Sequence, residues 1–395
     1  MSGLLSGVRV LDLTRMLAGP YATLLLSDFG AEVIKIEETE KGDEIRGMGP
    51  PFVNGQSPYF IAVNRGKKSL TLNLKTQEGR ELFYRLVQKS DAVIDNFRPG
   101  ILEKLKCDYG ILANLNPGII SCSITSFGEE GPLSQLPAFD LAIQAYSGAM
   151  SITGEPGHPP VRLGIPLGDL SGGMFGALAI CAALNRRHVT GKGERISISL
   201  LDSLTSMLSY VAQYYLADGK VPGPQGSGHV SVVPYGAFKT KDIYIIVAVF
   251  TEKFWIGFCD AIGQVELADD PRFNKNALRV ENRKTLEPIL EEIFLQQAGK
   301  QWLERLEQKG IPCAPVNTVD ETLSMEQLLR RNMLVSIDQS GIGEMTVLGS
   351  PIRVEGSRNL YGPAPMLGEH TVEILSSLLQ MDNDKINDLK HRGII

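Results

Sequence analysis

Short β-rich runs alternate with segments of helical spacing through the first third of the chain, and this alternation leaves few folds open. The runs are 8–13, 32–37, 69–74, 92–96 and 119–124, each carrying several Val, Ile or Leu residues. Between them, 21–29 and 77–90 place apolar residues at helical intervals. Gly19-Pro20 reads as a break before the first helix and Gly30 as its end. Strands separated by helices cannot pair as tight hairpins. They build βαβ units, and hence a parallel sheet with helices on its faces. In open sheets of this α/β class, ligands bind outside the carboxyl ends of the strands. The turns that follow the strands are therefore where chemistry should be sought.

The middle of the chain changes character. Residues 170–187 are rich in Gly, Ala and Leu and read as a tightly packed buried helix. A strand at 195–200 and a helix at 202–216 follow. The stretch 220–228 is rich in Pro and Gly and reads as a linker, with a new unit from Tyr235. That unit carries a strand at 243–249 and helices at 253–262, 282–294 and 300–309. A strand-rich segment is expected after Pro315, then a helix near 370–379.

Composition excludes several function classes. At about 150 residues per domain, 395 residues suggest two or three domains, or one large α/β unit with an excursion. A net charge of −6 offers no basic footprint for nucleic acid. The N-terminus lacks the basic flank and apolar stretch of a secretory signal. Continuous apolar runs such as 243–250 have fewer than ten residues, against roughly 20 needed to cross a bilayer. The five cysteines are scattered without a CxxC pair, and the five histidines without HExxH spacing. A soluble, cytoplasmic protein is expected, with neither a disulfide framework nor a metal site. GxGxxG after a strand, GxxxxGK[ST] and GxSxG are all absent.

Subtler candidates remain. Asp169 lies in Gly164-Ile165-Pro166-Leu167-Gly168-Asp169-Leu170-Ser171-Gly172-Gly173. With a helix starting at Leu170 it is either an N-cap or a nucleophilic carboxylate, and the two roles are compatible. The helix terminus should keep it ionised, and the flanking glycines leave room for a reactant. Arg15, Lys75 and Arg98 follow the first, third and fourth strands, where they would suit a polyanion or simply be surface charge. Asn64-Arg65-Gly66-Lys67-Lys68 is a basic cluster that could meet phosphate or form a solvated loop. His158 reads as a loop residue, and no histidine is spaced to pair with Asp169.

Several longer stretches carry a resemblance. They are 7–20 (GVRVLDLTRMLAGP), 28–37 (DFGAEVIKIE), 64–75 (NRGKKSLTLNLK), 95–100 (DNFRPG), 115–117, 190–193, 310–316 (GIPCAPV) and 367–371 (LGEHT). As a set they resemble the class III coenzyme A transferases, a family with transferase and 2-methylacyl-CoA racemase branches. The resemblance runs from about residue 4 to the end. It implies a Rossmann-like large domain, a smaller α/β domain reached through long linkers, and a return to the large domain. The boundaries expected are 1–195 for the first part of the large, CoA-binding domain and 196–228 for a linker region. The small domain follows at 229–318, with the return linker and C-terminal part at 319–395. Two chains would interlock as a homodimer.

The resemblance places the catalytic aspartate on Asp169 and CoA contacts on Leu17, Ala18, Leu72, Asn73, Leu74, Lys75, Asn96, Phe97, Arg98, Lys104, Leu136, Pro137, Ala138 and Phe139. Lys75, Arg98 and Lys104 would meet phosphates. No permanently bound cofactor is implied: coenzyme A and acyl-CoA are substrates, with a carboxylic acid as the acceptor. Dicarboxylates, with succinyl-CoA as donor, suit the family, with aromatic, bile or branched acids left open. Four positions depart from its patterns. Glu38 stands where an arginine meets the nucleotide. Leu17 and Met48 replace a glutamine and a tryptophan of the formyl-CoA:oxalate branch, whose tetraglycine loop is also missing, which disfavours oxalate. Phe139 replaces the histidine that racemases need before Asp140, and proton transfer through carbon requires two groups able to hold a proton. Racemisation and a non-catalytic acyl-CoA binder are the alternatives to CoA transfer.

Overall fold

The predicted alternation closes into one six-stranded sheet: β1 (Arg9–Asp12), β2 (Glu32–Glu37), β3 (Lys68–Thr71), β4 (Ala92–Asp95), β5 (Ile120–Thr125) and β6 (Arg195–Ser199). Every neighbouring pair is parallel, in the order β3-β2-β1-β4-β5-β6. The strand order reverses between β1 and β4, so the crevice expected of such sheets opens there. The computed structural model describes residues 3–355 and 361–395.

Side chains alternate across the strands, as a sheet covered on both faces requires. Val10, Val33, Ile94, Cys122 and Ile124 enter one core, with the helices α1 (Ala18–Asp28) and α7 (Leu167–Thr190). Leu11, Ile34, Ile36, Leu70 and Val93 enter the other. There they meet Phe83 and Leu86 of a helix at Gln77–Val87, together with Ile374, Leu375, Ile386 and Leu389. The last four belong to helices Thr371–Leu379 and Asn383–His391. The C-terminal segment thus completes a core begun by the first strands. Its final helix was not apparent in the sequence reading, because its few apolar residues stand among charges.

Three local expectations are corrected. Gly19-Pro20 does not break the chain; it forms the first turn of α1, where a missing N–H removes no helix bond. The buried helix is longer than 170–187, so Asp169 is its third residue rather than its N-cap, a position that Pro166 fills. The helix read at 202–216 divides into Leu200–Ser206 and Ser209–Asp218, with Ser209 in the left-handed region at φ 49.

At 24 residues, α7 is long and apolar enough to cross a membrane by length and composition. Its small residues are used instead for close packing inside the unit. A Cβ on Gly173 would stand 2.6 Å from the Ala18 carbonyl oxygen, and one on Gly172 would stand 2.2 Å from Leu200 Cδ2. Only glycine allows α1 and α7 to approach so closely.

The chain divides into two compact units. One holds Met1–Ala149, Leu163–Ala212 and Glu326–Ile395; the other holds Met150–Arg162 and Gln213–Met325. The second is wider than 229–318, and residues 196–218, read as linker, carry a strand and two helices. The Pro/Gly stretch is tied inside the smaller unit by the Gly226 N–H, which donates to the Gly154 carbonyl at 2.8 Å. That unit has a three-stranded antiparallel sheet (Tyr235–Lys239, Tyr244–Ala248, Cys313–Pro315). Trp255, Phe258, Phe294 and Trp302 form its core. In the larger unit, the strand-rich expectation after Pro315 resolves into an antiparallel pair, Leu334–Gln339 with Gly343–Leu348.

Candidate active site

Asp169 is half-buried in the first turn of α7, and no described residue hydrogen-bonds its carboxylate. The capping role falls to Asp140, the first residue of a helix at Asp140–Tyr146. Asp140 Oδ1 accepts the backbone N–H of Gly168 at 2.8 Å and of Asp169 at 3.3 Å. Its Oδ2 accepts from Gln144 Nε2 at 2.5 Å, and Gln144 Oε1 in turn accepts the Leu163 N–H at 2.8 Å. Gly168 is necessary for this approach: a Cβ there would meet Asp140 Oδ1 at 2.9 Å.

The arrangement reverses one expectation. The helix terminus was to keep Asp169 ionised, but its forward N–H groups are committed to Asp140. Burial, and then the like charge of Asp140, push the Asp169 carboxyl up to about 7. It is therefore a more basic carboxylate than an exposed aspartate, and near neutrality it is ionised in only part of the molecules. Tyr59, half-buried in a helix at Pro58–Asn64, shares these surroundings. Burial, followed by the charges of Asp169, Asp43 and Asp140, raises its phenol to about 12. Tyr59 thus stays protonated and offers a hydrogen-bond donor. Leu17, Tyr59 and Leu170 pack in one apolar cluster.

A cleft of about 430 Å³ opens at the carboxyl ends of the first four strands. Of the residues singled out in the sequence, Leu72, Asn73, Leu74, Lys75, Phe97 and Lys104 line it, together with Arg15 and Glu38. Arg15 is already paired with Glu44 at 3.0 Å. Lys75 and Lys104 are exposed and carry no ion pair among the described residues. Glu38 turns back to accept the N–H of Lys41 at 2.9 Å and of Glu40 at 3.2 Å, which holds its carboxyl below the usual range. The cleft wall so presents an anion where the family pattern has a cation.

The remaining positions lie elsewhere. Leu17 and Ala18 are buried at the start of α1, and Ala18 faces Gly173 of α7. Both polar atoms of the Asn96 amide are engaged by the backbone of Arg15, at 2.9 and 2.7 Å. Arg98 lines a neighbouring cavity of about 240 Å³ beside Asp95, Glu103 and Glu129, and Phe97 borders both spaces. Leu136 and Phe139 are exposed, and the Ala138 carbonyl accepts from Ser126 Oγ at 3.1 Å. This segment leads directly into Asp140.

The charges of the basic cluster at 64–68 are engaged by carboxylates of the chain: Arg65 and Lys67 are buried, and Lys68 is paired at the surface. Arg65 grips Asp28 with two hydrogen bonds of 2.5 and 3.0 Å. Lys67 is fully buried on Asp12, Asn64 and the Pro20 carbonyl. Lys68 bridges Glu32 and Glu373. Asp140, Gln144 and Tyr59 were not identified from sequence. The backbone partners of Asp140 stand 28 and 29 positions away, beyond the reach of any local pattern.

A family model described as CoA-transferase family III matches residues 5–371. The chain is 40% identical over 392 residues to the succinyl-CoA:glutarate CoA-transferase of Mus musculus, covering 99% of this chain and 90% of that one. It is 39% identical over 355 residues to the acetyl-CoA:oxalate CoA-transferase of Acetobacter aceti, covering 90% of each. A CAIB/BAIF family protein from Brucella suis, known from its crystal structure, superposes with a TM-score of 0.86 at 38% identity, over 96% of this chain and 100% of that one. The chain belongs to CoA-transferase family III and is an enzyme that moves CoA between an acyl-CoA thioester and a carboxylic acid.

Proposed function

We propose that Asp169 is the nucleophile of this transfer. The observation that carries the proposal is a half-buried, unusually basic carboxyl at the start of a helix, with no ion-pair partner among the described residues. An Asp169 carboxylate oxygen attacks the thioester carbonyl carbon, the C–S bond breaks, and CoA leaves as a thiolate. The product is a mixed anhydride. The thiolate attacks the Asp169 carbonyl carbon, the anhydride C–O bond breaks, and the donor acid leaves as a carboxylate. The resulting aspartyl–CoA thioester is then attacked by the acceptor carboxylate, and the steps run in reverse. Covalent catalysis divides one difficult exchange into steps of similar size.

Dicarboxylates with succinyl-CoA as donor suit the chain best, and the mouse relative, named for succinyl-CoA and glutarate, supports this class. Oxalate remains disfavoured by Leu17 and Met48, although one relative is named for it. A donor-by-acceptor screen, following acyl-CoA masses, tests the substrate class: succinyl-CoA with C4 to C6 dicarboxylates should give the fastest exchange. In deuterated water a 2-methylacyl-CoA should gain no α-deuterium, because Phe139 is exposed and cannot carry a proton. Rapid wash-in would favour the racemase reading.

The cleft at the strand ends takes the nucleotide end of CoA, with Lys75 and Lys104 meeting phosphates. Leu17, Ala18 and the segment 136–139 stand at the thioester end, beside Asp169 and Asp140. Lys75→Ala and Lys104→Ala should each weaken CoA binding about fivefold, and more at low salt. Arg98→Ala should do less, because Arg98 lines the neighbouring, largely acidic cavity. Isothermal titration against free CoA at two ionic strengths separates these outcomes.

The protein acts as a homodimer. None of the ten residues of the helix Ser209–Asp218 is buried in the single chain, where Leu216 is 72% exposed. Leu178 of α7 is 64% exposed, and apolar surface of this extent on two helices calls for a second copy. Sedimentation at sub-micromolar concentration should show a dimer. A folded, active monomer would contradict this.

A further inference from the structure

The turn between β1 and α1 holds Met16 at φ 64. A residue with a side chain avoids this left-handed region and remains there only when its surroundings impose it. Here the turn lies outside the sheet ladder, and its backbone is held by side chains from four places in the sequence. The Thr14 N–H donates to Asp12 Oδ1 at 2.9 Å, and the Thr14 carbonyl accepts from Lys35 Nζ at 2.7 Å. Asn96 takes both the N–H and the carbonyl of Arg15. The Met16 N–H donates to Asp43 Oδ1 at 3.1 Å. Asp43 is 1% exposed; the same oxygen accepts the Ile45 N–H at 3.2 Å, and its other oxygen lies 2.9 Å from Lys35 Nζ.

This turn leads into the active site. Met16 and Leu17 pack in the cluster that also holds Tyr59 and Leu170, and the Ala18 carbonyl faces Gly173, one helical turn beyond Asp169. We infer that Asp43 is a positioning residue for CoA transfer. By accepting the Met16 N–H in a desolvated setting, it locks the turn in the conformation that sets Leu17 and Ala18 against the start of α7. Asp43 is too deeply buried to meet substrate and acts through the backbone of Met16. Without an acceptor, that N–H is left unpaired and Met16 relaxes toward right-handed φ. Small displacements of substrate-positioning groups reduce turnover more than binding when the bound geometry is near attack distance. The inference rests on Asp169 as the nucleophile.

The full-length enzyme, with succinyl-CoA as donor probe and glutarate as acceptor, supplies the test. The variants are Asp43→Ala, Asp43→Asn, Asp43→Ala with Met16→Gly, and Asp169→Asn. Circular dichroism defines temperatures at which each is folded. Asp43→Ala should lower kcat on the order of tenfold to a hundredfold, with a smaller change in KM. Asp43→Asn keeps an oxygen acceptor and should rescue most of kcat, although it melts earlier because the buried Lys35 loses one of its counter-ions. Adding Met16→Gly to Asp43→Ala should restore part of kcat, since glycine takes positive φ without steric cost. A merely structural role would move melting and kcat together and gain nothing from the glycine. Wild-type kcat in Asp43→Ala, or no gain in the double variant, overturns the inference.

If Asp43→Ala does not fold, Met16→Val and Met16→Gly are compared with Asp43 intact. The β-branched side chain resists positive φ, so the valine variant should lose about tenfold in kcat relative to the glycine variant. Equal activities overturn the inference. Turnover by Asp169→Asn would instead remove the nucleophile reading. An inactive Asp169→Asn beside a fully active Asp43→Ala would remove only the positioning role.

Discussion

Asp169→Asn should lower CoA exchange by at least about a thousandfold while leaving the melting temperature nearly unchanged, because it removes the attacking oxygen but keeps the side-chain volume. Incubation of the wild-type enzyme with donor acyl-CoA and no acceptor should leave a covalent adduct on Asp169. Trapping with hydroxylamine or borohydride, followed by peptide mass, would locate it. The structure also predicts the stability of Asp169→Ala. Were Asp169 the helix cap, its loss would cost about 1 kcal/mol. Asp140 holds the N–H groups of Gly168 and Asp169 instead. The alanine variant should therefore be inactive yet no less stable than wild type, since it also relieves a half-buried carboxyl set beside a like charge. An asparagine variant with appreciable turnover would remove Asp169 from the chemistry.

The second large effect is on pH dependence. With the Asp169 carboxyl raised to about 7 by burial and Asp140, kcat/KM for the donor should climb with slope one through that region and flatten above it. Asp140→Asn removes the like charge and should move this acid limb to lower pH. It should also lower the melting temperature, because an amide nitrogen facing Gln144 Nε2 cannot make the present bond. Asp95, buried and likewise raised to about 7, lies elsewhere on the sheet, and a limb that arose from it would not respond to Asp140. The linkage to stability has a definite sign. Between the ordinary value of 3.8 and about 7, the folded protein retains on Asp169 a proton that the unfolded chain has released. Its contribution therefore makes the fold less stable as pH rises through that window.

What the sequence determined by itself is local or periodic. Alternating apolar runs specified all six strands of the sheet and the parallel character of its first part, because strand spacing and helix spacing are properties of neighbouring residues. The motif set specified the family, and it singled out six residues, from Leu72 to Lys104, that line the cleft. The tertiary structure decided everything that depends on long-range pairing. Lys67 belongs to a cluster that in sequence could meet phosphate or form a solvated loop, but in the fold it is buried against Asp12, 55 positions earlier. The resemblance implies Asn96 as a CoA contact, and the fold adds that its amide holds the backbone of Arg15, 81 positions earlier. The ionisation of Asp169 shows the same cause most clearly. A helix N-terminus favours a carboxylate when its N–H groups are available, and only the folded chain reveals that Asp140 has taken them. Charge, burial and hydrogen-bond partners are set by proximity in space, which the order of residues along a chain does not encode locally.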